Sequence, residues 1–226
     1  MDEVMTLLTL VLIVVAFAGA VLGVSKWWHR KRVAALREWA NQQGWHYEHW
    51  RPDLAERFSG YPFGRGRRRR VQHVLTGTHR GHEVLAFEHS YTTSGGRNNS
   101  STTFHEVVAV PIPTPRPFLE VTREHFGHKL LGLVGVHDLQ LSNERFNSTF
   151  RIRTSNDQFA RHVLNKDMTE WLLADGRARQ VGIRFDGSYL VTWRRGPLDA
   201  DNIPADADFL IDVLERVPAP AWETTA

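Results

Sequence analysis

Residues 4–24 run without a single charge, VMTLLTLVLIVVAFAGAVLGV, and Lys26-Trp27-Trp28-His29-Arg30-Lys31-Arg32 follows almost at once. As a helix the run would rise roughly 32 Å at about 1.5 Å per residue, close to the ~30 Å hydrocarbon core of a bilayer. A cleaved signal peptide has basic residues ahead of a shorter apolar core. Here the chain starts Met1-Asp2-Glu3, although Ala16-Phe17-Ala18 does offer a small-x-small triplet. A core helix would show a polar face, and none is present. The pattern therefore predicts an uncleaved transmembrane anchor over residues 1–25. Lys26, Arg30, Lys31 and Arg32 lie only after it, which predicts the N-terminus outside and a cytoplasmic C-terminal domain at the cell membrane. Trp27 and Trp28 stand where an interfacial aromatic belt would place them. Gly19 and Gly23, one helical turn apart, could let two such helices approach and form a homodimer.

Past the anchor about 200 residues remain, enough for one domain with a real core or two small ones. The 226-residue chain has a net charge of +3 and no cysteine, which excludes disulfides, thiolate metal sites and cysteine nucleophiles. Residues 26–44 carry Val33, Leu36 and Ala40 at helical spacing and Gly44 as a stop, predicting a juxtamembrane basic helix. Residues 45–70, with Pro52, Gly60, Pro62 and Gly64, predict an irregular basic linker. From Val71 the period becomes that of strands, with a hairpin turning at Arg80-Gly81. Residues 92–102 predict a polar loop and Thr103 to Pro111 a third strand. A proline-rich link follows, then a short fourth strand and a short helix over residues 124–133. Phe150 to Arg153 alternates as a strand, and Ser155, Asn156 and Asp157 offer helix caps. Asp186-Gly187 predicts a two-residue hairpin, and a last helix ends before Pro218. The domain plan is thus an α+β domain over 71–218 and a tail over 219–226. Its fold class is a transmembrane helix followed by a mainly antiparallel sheet with packed helices. A pleckstrin-homology-like barrel is the alternative.

Phe146-Asn147-x-x-Phe150-x-Ile152, then Asp157, Ala160, Leu164, Met168, Leu172 and Leu173, then a hairpin, resembles the core of the DUF3137 family of bacterial membrane-associated proteins. The resemblance covers residues 140–195. Pro62-Phe63-Gly64 through Leu75-Thr76-Gly77 to Ala86, Phe87 and Tyr91 is similar to uncharacterised actinobacterial membrane proteins. What the resemblance implies is location and fold, with no active site.

The strongest charge cluster is Arg65, Arg67, Arg68, Arg69 and Arg70. With Lys26, Trp27, Trp28, Arg30, Lys31 and Arg32 it makes a candidate contact for anionic lipid headgroups. Nucleic acid is disfavoured, because no nucleic-acid fold signature accompanies the run. Twelve histidines include His46/His49, His79/His82 and His125/His128, and His89 and His105 are placed to face each other across strands. No His-Glu-x-x-His helix exists, so no metal or cofactor is expected. No Gly-x-Ser-x-Gly or assignable Ser/His/Asp set is present either. Glu83, Glu88 and Glu106 are isolated charges on strands, which predicts solvent exposure. The expected function is binding of a protein partner or of the anionic bilayer surface without catalysis. A membrane-tethered enzyme with its site near the histidine-bearing strands is the alternative.

Overall fold

Alternating residues from Val71 onward build the sheet that organises most of the chain. The computed structural model describes residues 30–95, 99–123 and 135–223, together with Met5, Phe17 and Trp27. It divides into two units, Met1–Gln43 and Gly44–Ala226. In the first, residues 30–43 form helix α1, which ends at Gly44 with φ +69. That left-handed geometry is the usual reason for glycine after a helix.

The single-pass membrane arrangement expected from the sequence is corrected here. Among the described residues no helix is long and apolar enough to cross a membrane. The described helical residues 30–43 carry Arg30, Lys31, Arg32, Arg37 and Glu38, more charge than a hydrocarbon core accepts. Residues 4–24 lie outside the described residues apart from Met5 and Phe17, and Gly19 and Gly23 fall there too. The transmembrane part of the fold class and the cell-membrane location, with its outside N-terminus, are therefore not carried further.

The second unit is α+β. Its strands are β1 (His46–Trp50), β2 (Arg67–His79), β3 (His82–Ser94), β4 (Ser100–Arg123), β5 (His137–Leu139), β6 (Phe150–Thr154) and β7 (Gly182–Arg195). All pair antiparallel, in the order β1-β2-β3-β4-β6-β5, with β7 also paired to β4. Among the described residues β1, β5 and β7 each pair with a single strand, so the sheet is open rather than a closed barrel. The helices are α2 (Glu144–Thr149), α3 (Asp157–Val163), α4 (Lys166–Ala174), α5 (Ile203–Arg216) and α6 (Ala219–Glu223). Asparagine caps three of them: Asn143, Asn156 and Asn165 each accept a bond from the backbone N–H three residues on, which satisfies an otherwise orphaned donor.

β4 runs 24 residues straight through Pro111, Pro113, Pro115 and Pro117, where the sequence predicts a link between two strands. Proline lacks the N–H a ladder needs, and the β4–β7 register slips between Pro111 and Leu119, opposite Gly187. Asp186-Gly187 is correspondingly a bend within β7, not a hairpin. Ten extended residues span about 33 Å, yet Thr192 Oγ1 donates to Gly182 O at 2.7 Å. The β4–β7 ribbon therefore folds back on itself.

Alternate positions feed two apolar layers. One joins Val71, Val74, Phe87, Val107, Ala109 and Val191 to Leu54, Phe58 and Phe63. On the other, α5 packs over β4 and β7, burying Ile203, Ala207, Leu210 and Ile211. Each large side chain so buried contributes roughly 1.5–3 kcal/mol. At Gly77 a Cβ would stand 2.3 Å from Trp45 Cγ. Gly77→Ala is therefore expected to cost about 1–3 kcal/mol by overpacking and to red-shift tryptophan emission. Unchanged urea unfolding and emission would show that Trp45 yields freely.

Candidate functional site

The folded-back ribbon leaves a cleft at its inner corner. One wall comes from β4, with Thr103 and His105 before the bend and Glu120 and Thr122 after it. A second comes from β7, with Gly182, Trp193, Arg194 and Arg195, joined by Gln180. Tyr91 and Thr93 of β3 and Tyr61 and Arg65 of the 51–66 segment complete it, around a volume of about 520 Å³. A site of this size is ordinary for a small molecule. Gly182 keeps the corner open: a Cβ there would meet Thr122 Cγ2 at 2.8 Å and Trp193 Cζ2 at 3.1 Å.

The segment carrying Tyr61 and Arg65 has no strand of its own and is pinned by polar contacts. Ser59 donates through N and Oγ to Asp186 at 2.8 and 2.9 Å, and Arg57 donates to Tyr189 Oη at 2.8 Å. Phe58 and Phe63 anchor it in the core. Below lies Arg184, wholly buried. Its Nε donates to Glu120 Oε2 at 3.0 Å, its two terminal nitrogens donate to the carbonyls of Ser59 and Tyr61, and its guanidinium sits 4.3 Å from the Trp193 ring centroid. One buried cation thus ties both halves of the ribbon to the loop.

Aromatic order continues at the floor. Tyr61 Oη lies 2.9 Å from His105 Nε2, and the His105 ring stacks on Tyr91 with centroids 5.7 Å apart at 15°. Burial pushes the Tyr61 phenol up to about 12, with Tyr91 adding to the shift and Arg195 and Arg65 opposing it. Such a phenol stays protonated near neutral pH and is a poor nucleophile.

The residues singled out from sequence scatter. Arg65 lines the cleft, whereas Arg67, Arg68, Arg69 and Arg70 begin β2 and are exposed, with Arg69 donating to Phe63 O at 3.2 Å. Trp27, Arg30, Lys31 and Arg32 belong to the other unit, where Lys31 Nζ stands 4.1 Å over the Trp27 ring. Lys26 and Trp28 lie outside the described residues. His89 and His105 are register partners, but only His105 reaches the cleft. His89 is buried, and burial, helped by the Arg69 charge, pulls its imidazole down to about 4. Glu88 and Glu106 are also register partners, and both are buried, against the expected exposure. Among the described residues no group of three metal-binding side chains gathers.

Sequence reasoning missed Tyr61, Tyr91, Thr103, Gln180, Trp193, Arg184 and Arg195. A usable signal existed: Phe87, His89 and Tyr91 put aromatic or imidazole rings on one face of β3, and His105 and Trp193 continue that face on β4 and β7.

No protein-family model matches this chain and no curated protein matches it, so the DUF3137 likeness rests on the residues quoted above. Among solved structures, the crystal structure of the mycobacterial trehalose monomycolate transport factor A, TtfA, is similar, with a TM-score of 0.56 and 13% identity. The match covers 81% of this chain and 90% of that one. At that identity the likeness is one of fold.

Proposed function

We propose that the Gly44–Ala226 unit is a binding domain that holds a glycan-bearing ligand in the cleft without transforming it. The observation that carries this is the lining of the cleft, which combines the rings of Tyr61, Tyr91 and Trp193 with the polar side chains of Thr93, Thr103, Thr122 and Gln180. The C–H faces of a sugar ring pack on aromatic rings while its hydroxyls exchange hydrogen bonds with such neighbours. TtfA, whose name couples it to trehalose monomycolate transport, supports the same class of ligand. The polar groups that would have to act as catalysts are already engaged. Glu120 is held by Arg184, His105 by Tyr61, and the Tyr61 phenol is raised rather than activated.

Trehalose is the probe. Titrated into the full chain, it is expected to bind saturably, perturbing the NMR signals of Tyr61, Tyr91 and Trp193, and to be recovered intact. Thr103→Trp, which fills the mouth from a half-buried strand position, is expected to weaken binding at least tenfold while leaving thermal unfolding unchanged. The proposal fails if trehalose at millimolar concentration leaves those three residues unperturbed, and the non-catalytic part fails if the sugar is cleaved.

A further inference from the structure

A row of polar side chains crosses the sheet on the face that α5 covers. Gln72, Glu88, Glu106 and Arg194 are successive register partners on β2, β3, β4 and β7. Their faces therefore coincide, and they alternate with the cleft residues His105, Trp193 and Tyr91. Three bonds run from this row to residues 196–206, the link from β7 together with the first turn of α5. Leu198 N–H donates to Glu88 Oε2 at 3.0 Å, Asn202 Nδ2 donates to Glu106 Oε2 at 3.1 Å, and Arg194 Nε donates to Asp206 Oδ2 at 3.1 Å. Gln72 Nε2 satisfies the other Glu88 oxygen at 2.8 Å. Glu106 Oε1 is buried with no hydrogen-bond partner.

We propose that residues 196–206 form a proton-gated strap, clasped across the sheet when Glu106 carries a proton and loosened when it loses it. The charges around Glu106 dictate the sign. It faces Glu88 from β3, Arg194 from β7 and Asp206 from α5, with Asn202 and the Asp199 backbone N–H from the strap. The Glu106 and Asp206 carboxylates share the one Arg194 guanidinium, and a buried carboxylate that is not fully compensated takes up a proton instead. Protonated, Glu106 places no charge beside Asp206; ionised, it repels Asp206, the group that anchors α5. Burial, with the Asp206 charge, raises the Glu106 carboxyl to about 7, although Asn202 and Arg194 pull the other way. The gate therefore works near neutrality. Apart from Arg194, which also lines the cleft, the row lies on the opposite face from the cleft rings, and the gate stands whether or not the cleft binds a sugar.

Backbone amide NMR of the full chain between pH 6 and 8 tests it. The amides of Leu198, Asn202 and Ile203 are expected to shift together with one midpoint near 7, in step with the Glu106 side-chain carboxyl carbon. Glu106→Gln mimics the protonated acid, so its strap amides at pH 8 are expected to match those of the wild type at pH 6. Strap amides that still titrate in Glu106→Gln overturn the proposal. Should that variant fail to fold, the wild-type carboxyl carbon decides: a midpoint near that of an ordinary glutamate overturns the gate, and one near 7 shared by the three amides supports it.

Discussion

Arg184→Met is expected to lower the unfolding free energy by about 3–5 kcal/mol, the usual cost of breaking a buried pair from one side. The substitution keeps the apolar stem beside Trp193 and removes only the charged fork. What remains is Glu120, nearly buried with its partner gone, and two loop carbonyls, those of Ser59 and Tyr61, without donors. Against a typical total of about 5–15 kcal/mol this is a large fraction. Arg184→Lys is expected to recover little, since an ammonium cannot present a planar fork to one carboxylate and two carbonyls at once. Arg184→Met combined with Glu120→Leu removes both charges and is expected to regain part of the loss, measured as a coupling energy in urea unfolding. If Arg184→Met costs under about 1 kcal/mol, the buried cation is not what fixes the corner of the ribbon. Because the same guanidinium fixes Ser59 and Tyr61, Arg184→Met is also expected to abolish trehalose perturbation at Tyr61 before it unfolds the domain.

The hairpin at Arg80-Gly81 could be read from sequence because its signal is local. Both residues take positive φ, 50 and 81, and the flanking alternation supplies the strands. The cap at Asn156 was equally local. The prolines of β4 misled for a physical reason. They mark broken ladder positions, and a bend inside one long strand breaks the ladder just as a loop between two strands would. Gly187 behaved likewise, its φ of +60 serving a bend rather than a hairpin. The apolar run of residues 4–24 had the strongest signal of all, and it lies almost wholly outside the described residues.

Burial of charge was the least legible property. Glu88, Glu106 and Arg184 sit at strand positions where alternation predicts exposure, and each is buried because a partner arrives from elsewhere in the chain: Leu198 for Glu88, Asn202 for Glu106, and Glu120 with the 59–61 carbonyls for Arg184. Such partners are between 64 and 125 residues distant in the chain for Arg184, beyond the reach of any periodicity. The cleft shares this origin. Tyr61, Tyr91, His105 and Trp193 come from four separate segments, and only the fold-back of β4 and β7 brings them round one space.

Two buried groups on opposite faces of the sheet are expected to give the domain opposing pH dependences that partly hide each other. The Glu106 carboxyl is raised from 4.5 to about 7 by burial. Between those values the unfolded chain has released the proton while the folded chain keeps it. The stability this group supplies is therefore complete below about 4.5 and is lost as pH rises through about 7, at about 1.4 kcal/mol per pH unit. His89 is the reverse case, lowered from 6.5 to about 4 by burial and the Arg69 charge. Its unfolded imidazole holds a proton that the folded one refuses, so stability falls with the same slope on acidification from 6.5 to about 4. Asp206, raised by burial despite Arg194, adds to the Glu106 direction at the acid end. From about pH 4.5 to 6.5 the Glu106 and His89 slopes cancel, and single substitutions expose them. Relative to Glu106→Gln, the wild type is expected to lose about 3 kcal/mol between pH 4.5 and 7. Relative to His89→Phe, which keeps a ring against Phe63 and Tyr91, it is expected to gain a similar amount between pH 4 and 6.5. Urea midpoints for the three proteins at half-unit pH steps measure both differences. Difference curves that stay flat with pH would show that neither group carries a shifted proton, while a slope in one alone assigns the wild-type profile to that group.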